Sequence, residues 1–252
     1  MDVLHFGGNG HNASRIGPAR AALDRPAGGE SIRLVDVPYP GFEGRPRARS
    51  LDDFFGAVAD AIATGPKSPR AAYASGIGAL IALGVRARGG LAEVPLLFQG
   101  PVLWGLEQRT FPRLMRWKLP RMMLAGAFRT APFRRHFART QFVRPPDPAF
   151  LDRFFDGYAR CAAFDDFFLW FTPDFLRDLE LRFAEDPGAT GDVRVWLGGR
   201  DRVVGAAEVE ATGRALGVRW PVEVFPDWGH YPMIDAPEEW ARALRDALAT
   251  PA

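Results

Sequence analysis

The chain has 252 residues, 47% of them hydrophobic, and a formal net charge of +2, enough for one large core with an inserted subdomain. Its near-neutral balance and the lack of a recognised nucleic-acid-binding motif argue against nucleic acid as a partner. Apolar runs are short and no signal-peptide pattern precedes the first strand, so no transmembrane segment is expected and the reading is cytoplasmic; the single Cys161 cannot form an internal disulfide and has no metal-ligand spacing.

Val3-Leu4-His5-Phe6 reads as a strand running into Gly7-Gly8-Asn9-Gly10. Ile32–Val37 is the next strand, with a turn-rich exit at Pro38-Tyr39-Pro40-Gly41-Phe42. Ser50-Leu51-Asp52-Asp53 is a capping box opening a helix with Phe54, Phe55, Val58 and Ile62 on one face. Arg70–Ala74 is a strand that enters the turn Ala74-Ser75-Gly76-Ile77-Gly78, and a helix follows from Gly78 to Arg88. Glu93–Gln99 is a further strand. Strands alternating with helices in this way predict an α/β fold with parallel pairing and right-handed crossovers.

From Pro101 to about Pro187 the strand pattern stops. This stretch holds fourteen of the twenty Phe, plus Trp104, Trp117, Tyr158 and Trp170. Between Trp104 and Arg144 ten Lys or Arg stand against one acid, Glu107, and acids dominate from Asp147 to Asp186. Two readings of this asymmetry stay open: solvated faces of one helical subdomain, or a surface for an anionic partner such as a carrier-linked substrate, an anionic membrane or an acidic protein. Beyond it, Val193–Leu197 is a strand followed by Asp201, and Val222–Phe225 is a strand leading to Asp227-Trp228-Gly229-His230-Tyr231-Pro232. Asp235 is the expected N-cap of a last helix, with Pro237, Glu238 and Glu239 in its first turn.

The turn at Gly76 has the spacing of a nucleophile elbow, G-x-S-x-G, with small Ala74 and Gly78 flanking a glycine where the nucleophile belongs. An elbow centred on Ser75 would put Tyr73 and the β-branched Ile77 in the cramped flanking positions. Asp201 after one strand and His230 after the next complete the chain order nucleophile, acid, base.

These motifs resemble those of the α/β-hydrolase superfamily, over nearly the whole chain. The resemblance implies an α/β-hydrolase fold whose mostly parallel sheet lacks the first N-terminal strands, with a core of residues 1–100 and 188–252 and a helical lid at 101–187. It implies that Asp201 fixes the tautomer of His230, and that the backbone N–H groups of Gly8 and Ile77 form an oxyanion hole, although Phe6 stands where many members have His. Asn9, Gln99 and Trp104 are the candidate substrate-binding residues.

Three functions remain open on sequence. One is an enzyme in which Asp201 and His230 act as an acid/base pair without a covalent intermediate, on a small, largely apolar, carbonyl-bearing substrate, by water-activated hydrolysis or by lyase, isomerase or cyclase chemistry. A second is a serine hydrolase using Ser75, and a third a binding protein that keeps the pocket alone. No cofactor is expected, and no metal, because His5 and His11 have no third ligand in view. Gly8-Asn9-Gly10-His11-Asn12-Ala13, with Asp36 ending the next strand, also fits a dinucleotide-binding fingerprint, a scheme that has no place for the elbow, Asp201 or His230.

Overall fold

The computed structural model describes residues 1–25, 30–102, 110–144, 146–161, 166–186 and 191–249. Up to the end of the fourth strand the elements are β1 (Asp2–Phe6), α1 (Gly17–Leu23), β2 (Arg33–Asp36), α2 (Leu51–Ala63), β3 (Ala71–Ser75), α3 (Gly78–Arg86) and β4 (Leu96–Gln99). Among the described residues six helices follow: α4 (Thr110–Met115), α5 (Lys118–Ala127), α6 (Ala131–Gln141), α7 (Pro148–Ala159), α8 (Asp166–Trp170) and α9 (Pro173–Glu185). The chain then returns to the sheet with β5 (Val193–Gly198), α10 (Ala206–Ala215), β6 (Val222–Phe225), α11 (Pro232–Asp235) and α12 (Pro237–Ala249).

The six strands form one sheet in the order β2-β1-β3-β4-β5-β6, and all five pairings are parallel. Parallel sheets are covered on both faces, and strand alternation sorts the side chains accordingly. Leu4, Phe6, Ala72, Ala74, Val195 and Leu197 enter the larger core with α2 and α3. Val3, Ala71, Tyr73 and Trp196 enter a second core with α1 and α12, where the indole N–H of Trp240 donates to Tyr73 Oη at 3.1 Å.

Helices α4 to α9 do not pack as a separate body. Phe154, Phe155 and Phe167 belong to the same core as Phe6, Phe54 and Leu80. No helix among the described residues is long and apolar enough to cross a membrane.

Most local expectations hold. Ser50 caps α2 by accepting from the Asp53 N–H at 3.1 Å, and Phe54, Phe55 and Val58 are buried. The strand expected from Glu93 starts only at Leu96. Asp235 does not cap the last helix: it ends α11, and its Oδ2 accepts from the Val143 N–H at 3.0 Å, tying the segment after α6 to the loop that carries His230. Trp104 lies outside the described residues.

Candidate active site

At the C-terminal ends of β1 and β3 the sheet changes direction, since the chain continues from β1 to β2 on one side and from β3 to β4 on the other. Open α/β sheets bind ligands in the crevice outside such a switch point. Gly7 and Gly8 leave β1 there, and Gly76 leaves β3 beside them, with Phe6 in register with Ala74. The approach between the two is close. A Cβ on Gly78, the first residue of α3, would fall 2.2 Å from the Phe6 carbonyl oxygen, so only glycine lets α3 begin against β1.

Gly76 is in the left-handed region, at φ +55°. A Cβ placed on it would point toward His230 and lie 3.8 Å from Nε2. Ser75 is the last residue of β3, paired with Gln99. Alternation puts its side chain on the Tyr73 side of the sheet, and among the described residues no hydrogen bond joins it to His230.

His230 and Asp201, both far from Gly76 in sequence, converge on this turn. His230 Nδ1 lies 2.9 Å from Asp201 Oδ2, in a pair that is 7% and 0% exposed. Burial pushes the Asp201 carboxyl up, but the bond and charge of His230 and the N–H groups of Val203 and Val204, at 2.7 and 3.1 Å from Oδ1, outweigh it and hold it below its usual value. An ionised carboxylate only accepts, so Nδ1 donates to Asp201 and Nε2 is the ring nitrogen that faces Gly76. Gly100, which belongs to no recognisable motif, makes room for the pair: a Cβ there would sit 3.0 Å from Asp201 Oδ2 and 3.1 Å from His230 Nδ1.

A cavity of about 370 Å³ opens over this turn. Gly8, Asn9, Ser75, Gly76, Ile77 and His230 border it on the sheet side, and Phe137 of α6, Tyr158 of α7, Phe168 of α8 and Tyr231 on the other. The Gly8 and Ile77 amide N–H groups have no acceptor among the described residues. Asn9 Oδ1 is buried without a partner, while the Asn9 carbonyl accepts from Arg15 Nη1 at 2.8 Å. Gln99 is fully buried with both amide atoms unpartnered, and it is not among the residues that border the cavity. The aromatic residues of the wall were legible only as a Phe-rich composition, because no spacing distinguishes Phe137 or Phe168 from the phenylalanines of the core.

Behind the glycine loop, His5 and His11 do have a third group beside them, which corrects the expectation from sequence. Asp36, in register with His5 across β1 and β2, brings its carboxylate within 4.8 Å of both imidazoles, a donor set that could hold a metal ion. Its Oδ1 accepts from His5 Nδ1 at 2.7 Å and lies 3.4 Å from His11 Nε2. Its Oδ2 accepts from Arg20 at 2.8 Å, so a fixed cation already neutralises the carboxylate. Burial lowers the His11 pKa to about 4, against the raising effect of Asp36.

A model of the alpha/beta hydrolase family matches residues 3–243. No curated protein matches the chain. Among solved structures, a membrane phospholipase A described as a bacterial virulence factor is 23% identical, with a TM-score of 0.68 over 99% of this chain and 80% of that one. Haloalkane dehalogenase DbeA from Bradyrhizobium elkani is 16% identical, with a TM-score of 0.68 over 98% of this chain and 89% of that one. At these identities the likeness is one of fold.

Proposed function

Given that the chain belongs to the alpha/beta hydrolase family, we propose that it is an enzyme in which His230 and Asp201 move protons without a covalent serine intermediate. The observation that carries this reading is the 3.8 Å between His230 Nε2 and the position a Gly76 Cβ would take, at the apex of the turn. A nucleophile side chain would start from that point, and glycine leaves the space free for water or substrate. His230, with its tautomer set by Asp201, would take a proton at Nε2 as general base and return it as general acid. The free N–H groups of Gly8 and Ile77 would hold a developing oxyanion, and Asn9 Oδ1 would accept a hydrogen bond from a polar group of the substrate. Phe137, Tyr158 and Phe168 favour a small, largely apolar, carbonyl-bearing molecule. In this reading residues 101–187 are the lid over a core of 1–100 and 188–252.

Whether water or a substrate C–H gives up the proton decides between hydrolysis and lyase, isomerase or cyclase chemistry. The arrangement supports both. The test of the shared step is to restore the missing hydroxyl. Wild-type protein should stay unmodified by a fluorophosphonate, whereas Gly76→Ser should be labelled stoichiometrically and gain hydrolysis of a short activated ester, lost again on adding His230→Ala. The added Cβ adopts positive φ, which costs roughly 1–3 kcal/mol of stability. A wild-type adduct mapped to Ser75 by mass spectrometry would replace this reading with that of a serine hydrolase.

A further inference from the structure

Helices α4 and α5 pack against each other and are joined through Trp117, which is extended at φ −89° and ψ 138°. Their inward side is closed by Met115 and Leu124, both buried. Their outward side is apolar as well. Leu114, Trp117, Leu119, Met122 and Met123 are all exposed, Trp117 by 70% and Met123 by 67%. Leu119, Met122 and Met123 stand at i, i+3 and i+4, so on a helix they form one stripe. Large apolar side chains scattered singly over a surface are ordinary, but a contiguous patch marks a binding face. Five of the nine such side chains exposed among the described residues lie on this one hairpin.

The charge around the patch has one sign. From Thr110 to Pro146 the sequence has nine Lys or Arg and no Asp or Glu. Arg134 is paired with Asp152 and with the Phe128 carbonyl, and Arg121 folds back onto the carbonyls of Met115 and Arg116. Arg113, Arg116 and Lys118 are exposed beside the apolar side chains and have no ion-pair partner among the described residues. A second copy of the chain seated here would bring like charges together, as an isologous contact must. An anionic lipid surface meets both features at once: it accepts Trp, Leu and Met at the boundary between headgroups and acyl chains, and its headgroups neutralise the flanking cations.

We propose that the α4–α5 hairpin is a peripheral docking element for anionic membranes, with Trp117, Leu119, Met122 and Met123 entering the interface and Arg113, Arg116 and Lys118 facing the headgroups. This surface is independent of the chemistry at His230, so either assignment can fail alone.

The test is flotation of the full chain with phosphatidylcholine vesicles and with vesicles that also contain phosphatidylglycerol. Binding is expected only to the anionic vesicles, and it should fall as salt rises. A basic side chain near such a surface contributes about fivefold, so Arg116→Ser with Lys118→Ser should weaken binding on the order of twentyfold. Leu119→Ser/Met122→Ser/Met123→Ser should weaken it at least about tenfold through lost apolar insertion, with the thermal transition kept because these side chains are exposed. Should that variant unfold, Trp117→Ser and the salt titration of the wild type read the same two contributions. Equal binding to neutral vesicles, or no binding to either, overturns the proposal. A concentration-dependent dimer that the triple variant dissociates, without vesicle binding, would assign the patch to self-association instead.

Discussion

Arg15 places a charged guanidinium where only 6% of the residue is exposed, and its environment explains how. Nε and Nη2 donate to the Phe154 carbonyl at 3.1 and 2.8 Å, Nη1 donates to the Asn9 carbonyl at 2.8 Å, and the group lies over the rings of Phe154 and Tyr158 at 3.9 and 4.2 Å. It therefore fastens the loop after β1 to α7, and with it one wall of the cavity to the other. Arg15→Met would leave the two carbonyls without this donor and remove the cation from the rings. Since a buried bond to a charged group is worth about 1.5–3 kcal/mol and an orphaned acceptor carries its own cost, the variant should lose roughly 2–4 kcal/mol in a urea titration. An unchanged midpoint would show that water replaces the guanidinium. Nothing in the sequence singles out Arg15, because both of its acceptors are backbone atoms, one of them in a helix far along the chain. His230, Asp201 and Gly76 were legible for the opposite reason: each stands in a short turn whose residue types have few purely structural explanations.

Among the elements, the strands were the easiest to read, since buried parallel strands are short apolar runs between turn residues. Helices α1 and α10 were not anticipated. Only Val209, Thr212 and Gly213 of α10 are buried, too little for an apolar stripe to show. Asp235 shows a second kind of failure, in which a residue suited to a local cap serves a distant contact. Burial raises its pKa to about 6, against the lowering effect of the Val143 and Arg144 backbone N–H groups and the Arg144 charge. The folded chain thus holds this proton more tightly than the unfolded chain, whose value is near 3.8. Its contribution to stability is complete below that value and is lost as pH rises through about 6. Asp235→Asn keeps an oxygen for the Val143 N–H and removes the charge. The variant should match the wild type at pH values below both pKa values and exceed it near neutrality by roughly 1–2 kcal/mol, after allowance for partial exposure. Thermal unfolding across this range checks it; parallel wild-type and variant profiles would mean that the carboxylate is hydrated.

At the scale of the molecule, the reversal of strand order between β1 and β3 sets the cavity beside the His230–Asp201 pair, and α6, α7 and α8 supply aromatic side chains above it. Each layer came from a different part of the chain, so the sequence could announce a pocket without giving its size. A linear methyl ketone bound with its carbonyl toward Gly8 and Ile77 would run its alkyl chain along Phe137 and Phe168. Each methylene moved from water to that wall is worth about 0.8 kcal/mol, close to fourfold in affinity. Affinity measured by calorimetry should rise by that factor along the series until the cavity of about 370 Å³ is filled, and then level off as further methylenes stay in water. Phe137→Ser should flatten the rise for the longer members while leaving the shortest nearly unchanged, because only the longer chains reach α6. If affinity is flat from the first added methylene, the aromatic side chains over the sheet serve the core and the substrate lies elsewhere.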